Sequence, residues 1–220
     1  MKWRVMDLSL VAWIAAIIII VSLAAYRYGK MRGEGLQRFA RQRGLGFSRK
    51  ADINAYEEFR DFLLFSDDSE KKVSNIIRGE AEGVHVMMCD YHSTTGAGQS
   101  ASTRTQTVVI MESPRFSLPA FEMYPKDIFR RVFGILSKKK DIDFPSRRGF
   151  TEEYALRSEN EETVKMVFSD TVLSFFENHK GLTVEVKGGR LLYYRNGKLI
   201  RPEDARSFLQ EGLEILRVFE

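Results

Sequence analysis

Between Asp7 and Arg27 the chain runs for nineteen residues without a charge, LSLVAWIAAIIIIVSLAAY. A helix over residues 8–26 is roughly 28 Å long, enough to cross the hydrocarbon core of a bilayer. Ten of its side chains (Leu8, Leu10, Val11, Ile14, Ile17, Ile18, Ile19, Ile20, Val21, Leu23) each favour insertion by about 0.3–0.6 kcal/mol near a helix centre, on the order of 3–6 kcal/mol together. No polar face interrupts the run, so it is not the pattern of a helix packed on one side of a soluble core. Trp3 before it and Tyr26 and Tyr28 after it stand where an interfacial aromatic belt places them.

A cleaved secretory signal shares some of these features, with Lys2 and Arg4 as its basic start and Ser22-Leu23-Ala24 as a small-x-small cleavage site. Charge on the flanks argues for a retained anchor. Residues 27–50 hold eight basic side chains and one acid, against two basic residues before the run. Positive charge stays in the cytoplasm, so the expected topology is a single pass of the inner (plasma) membrane, N-terminus outside and body in the cytoplasm.

The division expected is a short extracytoplasmic N-terminus (1–7), a transmembrane helix (8–26), a basic glycine-containing hinge (27–35) and a cytoplasmic α+β domain (36–220). The hinge rests on Gly29, Gly33 and Gly35, each of which costs about 1 kcal/mol in a helix interior. Arg27, Lys30 and Arg32 come next to the bilayer and are candidate contacts to anionic lipid. The net charge of +4 divides as +1 over residues 1–26, +7 over 27–50 and −4 over the remainder. A mildly acidic body excludes nucleic acid as the expected partner. The single cysteine, Cys89, excludes an internal disulfide and fits a reducing compartment.

Within the body, "LQRFARQR" places Leu36, Phe39 and Ala40 on one helical face, with Gly44 as the stop and a first strand near 45–48. Ile53, Tyr56 and Phe59 suggest a short helix. Strands follow at 72–79, 84–92 and 105–113, the last two joined by a polar connection over 94–104. A helical stripe covers 126–136. "EYALRS" reads as a strand, Ser158 with Glu161 as a capping box, and Ser169 as the cap of a further helix. Gly188-Gly189 and Asn196-Gly197 mark tight turns in a hairpin ladder, and Pro202 starts a closing amphipathic helix. The fold class expected is α+β: an N-terminal transmembrane helix, then an antiparallel-sheet domain with packed helices and a C-terminal helix. A pleckstrin-homology-like barrel is a compatible topology.

The basic-flanked apolar run, "RFARQRGLGF", the hairpin "IIRGEAEGVHVMMCDY" and the closing "LLYYRNGKLIRPEDARSFL" together resemble an uncharacterised bacterial family of small N-terminally membrane-anchored α+β proteins. The resemblance spans nearly the whole chain. It implies the architecture and carries no assigned activity.

Chemistry is sparse. On a strand, His85 and Cys89 fall on one face and Asp90 and His92 on the other, so neither offers the three or four converging ligands a zinc site needs. "TTGAGQSAST" lacks the Gly-Lys-Ser/Thr of a P-loop and leads into a strand rather than a helix. No metal, cofactor or catalytic residue is expected. The expected function is a single-span protein with a cytoplasmic binding or scaffolding domain, its partners the lipid bilayer and a protein at the inner membrane face. The competing reading is a membrane-tethered hydrolase or metal-dependent enzyme using the 85–92 strand and the 94–104 loop.

Overall fold

Helical structure does not end with the apolar run. In the computed structural model α1 (Leu8–Gln42) is one helix of 35 residues. The structure describes residues 8–53, 57–66, 69–96, 98, 101–114, 117–127 and 140–220, with backbone alone for 8–10. The apolar half of α1 stands clear of the body, with Trp13 70 % and Ile20 66 % exposed, while one turn after another of the second half buries Arg32, Leu36, Phe39 and Ala40. Gly44 ends the helix, as expected. At φ +69° it donates its N–H to Arg41 O (3.2 Å) while Leu45 N–H reaches Ala40 O (2.9 Å), the paired bonds of a Schellman motif.

Residues 27–35, expected as a hinge, are helical here: Gly29, Gly33 and Gly35 all lie inside α1. Two of them are sites of close approach. A Cβ on Gly33 would sit 2.7 Å from Arg49 Nη1, and one on Gly35 would sit 2.7 Å from Pro202 Cβ, whereas nothing lies within 4 Å of one on Gly29. Packing at this level outweighs the propensity cost of about 1 kcal/mol per glycine. Gly29→Ala should raise stability by up to about 1 kcal/mol. Gly35→Ala should lower it by about as much, because the rigid Pro202 ring cannot step aside and overpacking costs about 1–3 kcal/mol. Thermal unfolding of the full chain in detergent reads both signs.

Among the described residues the body is built on one fully antiparallel sheet of eight strands: β1 (Gly46–Ala51), β2 (Glu70–Ala81), β3 (Val84–Thr95), β4 (Ser102–Glu112), β5 (Phe121–Pro125), β6 (Tyr154–Arg157), β7 (Thr183–Lys187) and β8 (Arg190–Tyr194). Their spatial order is β1-β2-β3-β4-β8-β7-β5-β6. The sheet is open at β1 and β6 among the described residues, unlike a closed barrel. Among the described residues the body also has the helices α2 (Arg148–Glu153), α3 (Glu161–Val167), α4 (Asp170–Asn178) and α5 (Ala205–Val218). Two-residue turns at Glu82-Gly83 (φ +55° and +76°) and Gly188-Gly189 (φ +60° and +76°) have the twist that hairpins favour.

Alternation along the strands sorts the core into two layers. On one face Val84, Val86, Met88, Val109 and Met111 pack with the second half of α1, α5 and a ring cluster around Phe150. On the other, Met87, Cys89, Tyr91, Val108 and Ile110 lie under Phe59, Phe62 and Phe65. Phe59 and Phe65 come from two 3₁₀ turns, Glu57–Phe59 and Leu63–Phe65, and Phe62 directly precedes the second, where a short helix around Ile53, Tyr56 and Phe59 is expected from the sequence; Tyr56 lies outside the described residues. Over residues 86–91 the β3 strand is thus buried on both sides.

Other expectations shift by a few residues. The connection over 94–104 is shorter, because β3 runs to Thr95, β4 starts at Ser102, and Thr94 Oγ1 meets Thr103 Oγ1 at 3.1 Å across the ladder. The cap of α3 is Asn160, whose Oδ1 accepts from Thr163 N–H at 3.1 Å, while Ser158 Oγ donates instead to Ala120 O at 2.7 Å. Ser169 caps α4 as expected. After Asn196-Gly197 the chain forms no further strand; Lys198 O accepts from Thr107 N–H (2.9 Å) and holds residues 198–200 beside β4. The helical stripe over 126–136 lies mostly outside the described residues.

Candidate functional site

Arg32 is one turn ahead of Leu36 on the buried face of α1 and is only 5 % exposed. A guanidinium cannot be left there without a counter-charge. Asp90, 2 % exposed, supplies it from β3, on the same sheet face as Val86 and Met88. Arg32 Nε donates to Asp90 Oδ2 at 2.9 Å and Nη2 to Oδ1 at 2.6 Å, a bidentate pair.

Two more donors complete the carboxylate. Thr107 Oγ1, directly across the β3–β4 ladder, donates to Oδ1 at 3.0 Å, and Asn75 Nδ2 donates to Oδ2 at 2.9 Å. The Asn75 contact depends on a bulge: Ser74 pairs with Asp90 and Ile77 with Met88, so Asn75 and Ile76 together face Cys89. Asn75 takes φ +50° there, a conformation asparagine tolerates better than most residues. Arg32 Nη1 also donates to Ile200 O, and Ile200 N–H donates to Thr107 Oγ1 at 3.2 Å. One charge pair therefore binds α1, β2, β3, β4 and the residues before α5.

Two cavities flank α1 at this level. One, of about 660 Å³, lies between α1 and the β1–β3 edge and is lined by Tyr26, Tyr28, Arg49, Lys50, Asn75 and His92 among others. The other, of about 600 Å³, lies towards the start of α5, with Met31, Arg38, Arg43, Pro202 and Arg206 in its wall. His92 is held on both ring nitrogens, Nε2 at 3.2 Å from Ser74 Oγ and Nδ1 at 3.1 Å from Thr105 Oγ1. Burial holds its imidazole below the ordinary histidine value; Asp90 opposes this, and Arg32 and Lys72 reinforce it.

Of the three candidate lipid contacts, Arg27 and Lys30 are exposed on α1, with Lys30 Nζ 4.0 Å from Glu34. Arg32, the third, has its guanidinium turned inward and occupied by Asp90. His85 and Cys89 do not join His92: His85 is exposed, and Cys89 is sealed in the second core layer, where burial pushes its thiol well up. Among the described residues no three of His, Cys, Asp and Glu converge as metal ligands. Neither cavity is lined by a described residue of 94–104. The Arg32–Asp90 pair was hidden in the sequence by a count of flanking charge. Its signal was there, in Arg32 four residues before Leu36 and Asp90 in phase with Met88.

No protein-family model matches the chain, and no curated protein sequence does. Among solved structures the chain is similar to the mycobacterial trehalose monomycolate transport factor A, TtfA, with a TM-score of 0.55 and 12 % identity over 86 % of this chain and 92 % of that one. At that identity the likeness is one of fold.

Proposed function

We propose that the chain is a single-span membrane protein whose α+β domain is a binding module held in one orientation at the cytoplasmic face. The carrying observation is that one unbroken helix has an exposed apolar half and a buried half locked to the sheet by Arg32 and Asp90. In this reading residues 1–7 are outside, 8–26 span, 27–35 are a stiff helical connection and 36–220 form the cytoplasmic domain. The eightfold excess of basic over acidic residues in 27–50 supports that orientation. The fold shared with a protein named as a transport factor suits an accessory role, in which the domain presents its juxtamembrane cavities to lipid or to a protein partner at the inner face.

The enzyme reading loses its footing. Cys89 is sealed, Asp90 has all four acceptor positions filled, and no described residue of the 94–104 connection lines either cavity. Protease added to intact spheroplasts should leave the body whole and digest it only after the membrane is opened. Digestion from outside would overturn the orientation.

A further inference from the structure

The cavity between α1 and the β1–β3 edge has an ordered set of walls. Ala25 and Tyr26, the last residues of the uncharged run, form its rim nearest the apolar half of α1, and Tyr28 and Lys30 follow one turn on. Asn75, Asp90 and His92 form its floor, with Arg49 and Lys50 on the β1 side. Asp90 contributes no free negative charge, because Arg32 cancels it. Lys30 has Glu34 4.0 Å away, whereas Arg49 and Lys50 have no acidic partner among the described residues. The cavity is therefore electropositive.

Arg49 is admitted by a specific device. Its Nη1 lies where a Cβ on residue 33 would be only 2.7 Å away, so the bare helix position at Gly33 makes room for the guanidinium. The floor is rigid, since Asn75 is held by Asp90 and His92 by two hydroxyls. A volume of about 660 Å³ falls within the range of small-molecule sites.

We infer that this cavity takes the phosphate-bearing headgroup of an anionic phospholipid drawn from the leaflet around α1. The inference rests on the proposal that residues 8–26 span the bilayer. A molecule that meets these walls in order needs an apolar tail along the exposed face of α1, an interfacial segment beside Tyr26 and Tyr28, and an anion against Arg49 and Lys50. A phospholipid has those parts in that order. The guanidinium donors of Arg49 match phosphate oxygens in geometry, and Lys50 adds a mobile ammonium.

The test is native mass spectrometry of the full chain in detergent, titrated separately with phosphatidylglycerol and phosphatidylcholine. The chain should retain one phosphatidylglycerol with a preference of about tenfold or more, the scale of a charge-assisted bidentate contact. R49Q/K50Q, both at exposed positions, should erase that preference, whereas K165Q on α3, which lines neither cavity, should keep it. Equal retention of the two lipids, or a preference that survives R49Q/K50Q, overturns the site. Displacement of the lipid by excess inorganic phosphate also overturns it, marking a free-anion site. Alkaline carbonate extraction of cell membranes reads the spanning proposal separately. A chain that stays in the pellet without lipid selectivity sinks the lipid site alone; a chain stripped into the supernatant sinks the span and with it the leaflet as source.

Discussion

Arg32→Met should lower the unfolding free energy by about 3–5 kcal/mol, because it leaves Asp90 charged and buried without its cation. At this chain length that corresponds to a fall in Tm on the order of 10 °C. Thr107 and Asn75 still donate to the carboxylate, so its hydrogen bonds are only partly lost, but their dipoles do not replace a full charge. Asp90→Leu should cost a similar amount by stranding Arg32. The double variant R32M/D90L should recover most of the loss, since apolar groups of similar size replace a buried ion pair at little net cost. Thermal unfolding of the full chain in detergent gives the three values. A spin-label distance between residue 30 and residue 165, narrow in the parent, should broaden in R32M. A narrow distribution there would show that packing of Leu36, Phe39 and Ala40 alone fixes α1.

Glu185→Gln should stabilise the protein above pH 7 and flatten its pH dependence. Glu185 is buried on β7 opposite Glu122 of β5, and its Oε2 accepts from Leu63 N–H at 2.6 Å, which ties the 3₁₀ lid over the second core layer to the sheet. Burial pushes the carboxyl from its ordinary 4.5 up to about 7; the Leu63 N–H opposes that shift, and Glu122 adds to it. The folded chain therefore binds more protons than the unfolded chain between those two values, so stability falls as pH rises through that window. At about 1.4 kcal/mol per unit, the loss approaches about 3 kcal/mol above pH 7. Asp61, Arg157, Glu159 and Lys187 line the same small cavity and are common to both proteins, so comparing variant with parent at each pH isolates Glu185. The comparison also removes His92, whose lowered value acts oppositely, costing stability as pH falls below its ordinary 6.5. Urea unfolding at pH 5 and pH 8 should show the variant ahead at pH 8 and the two nearly equal at pH 5. Equal stability at both would remove the proposed penalty.

Much of the fold is legible where one residue has a single physical use. Gly44 stops α1, Gly188-Gly189 turns a hairpin, Ser169 caps α4, and the alternation of Met87, Cys89 and Tyr91 against Val86 and Met88 divides the faces of β3. Less is legible where two forces compete. Gly33 and Gly35 read as helix breakers by propensity, yet each admits a neighbour that only tertiary structure brings near. Ser158 and Asn160 both suit a cap, and Ser158 is taken by Ala120 O from a distant part of the chain. The strand β5 is five residues ending in Pro125, too short for a pattern of its own, and gains its identity from β6 and β7. The candidate site was least legible because Arg32 belongs to two patterns at once. It counts as flanking positive charge, and it also continues the buried stripe of Leu36 and Phe39.

An unbroken α1 also makes the protein a lever. A domain on a loose tether turns independently of its span; in the single-span topology proposed above, one fixed by Arg32 and Asp90 would follow any change in the tilt of residues 8–26. Span tilt responds to bilayer thickness, and a change of about 10° moves a point about 30 Å from the pivot by about 5 Å. Membrane thickness would thereby set how far the outer edge of the sheet stands from the lipid surface, and a partner docked there would register the thickness of the bilayer it sits beside.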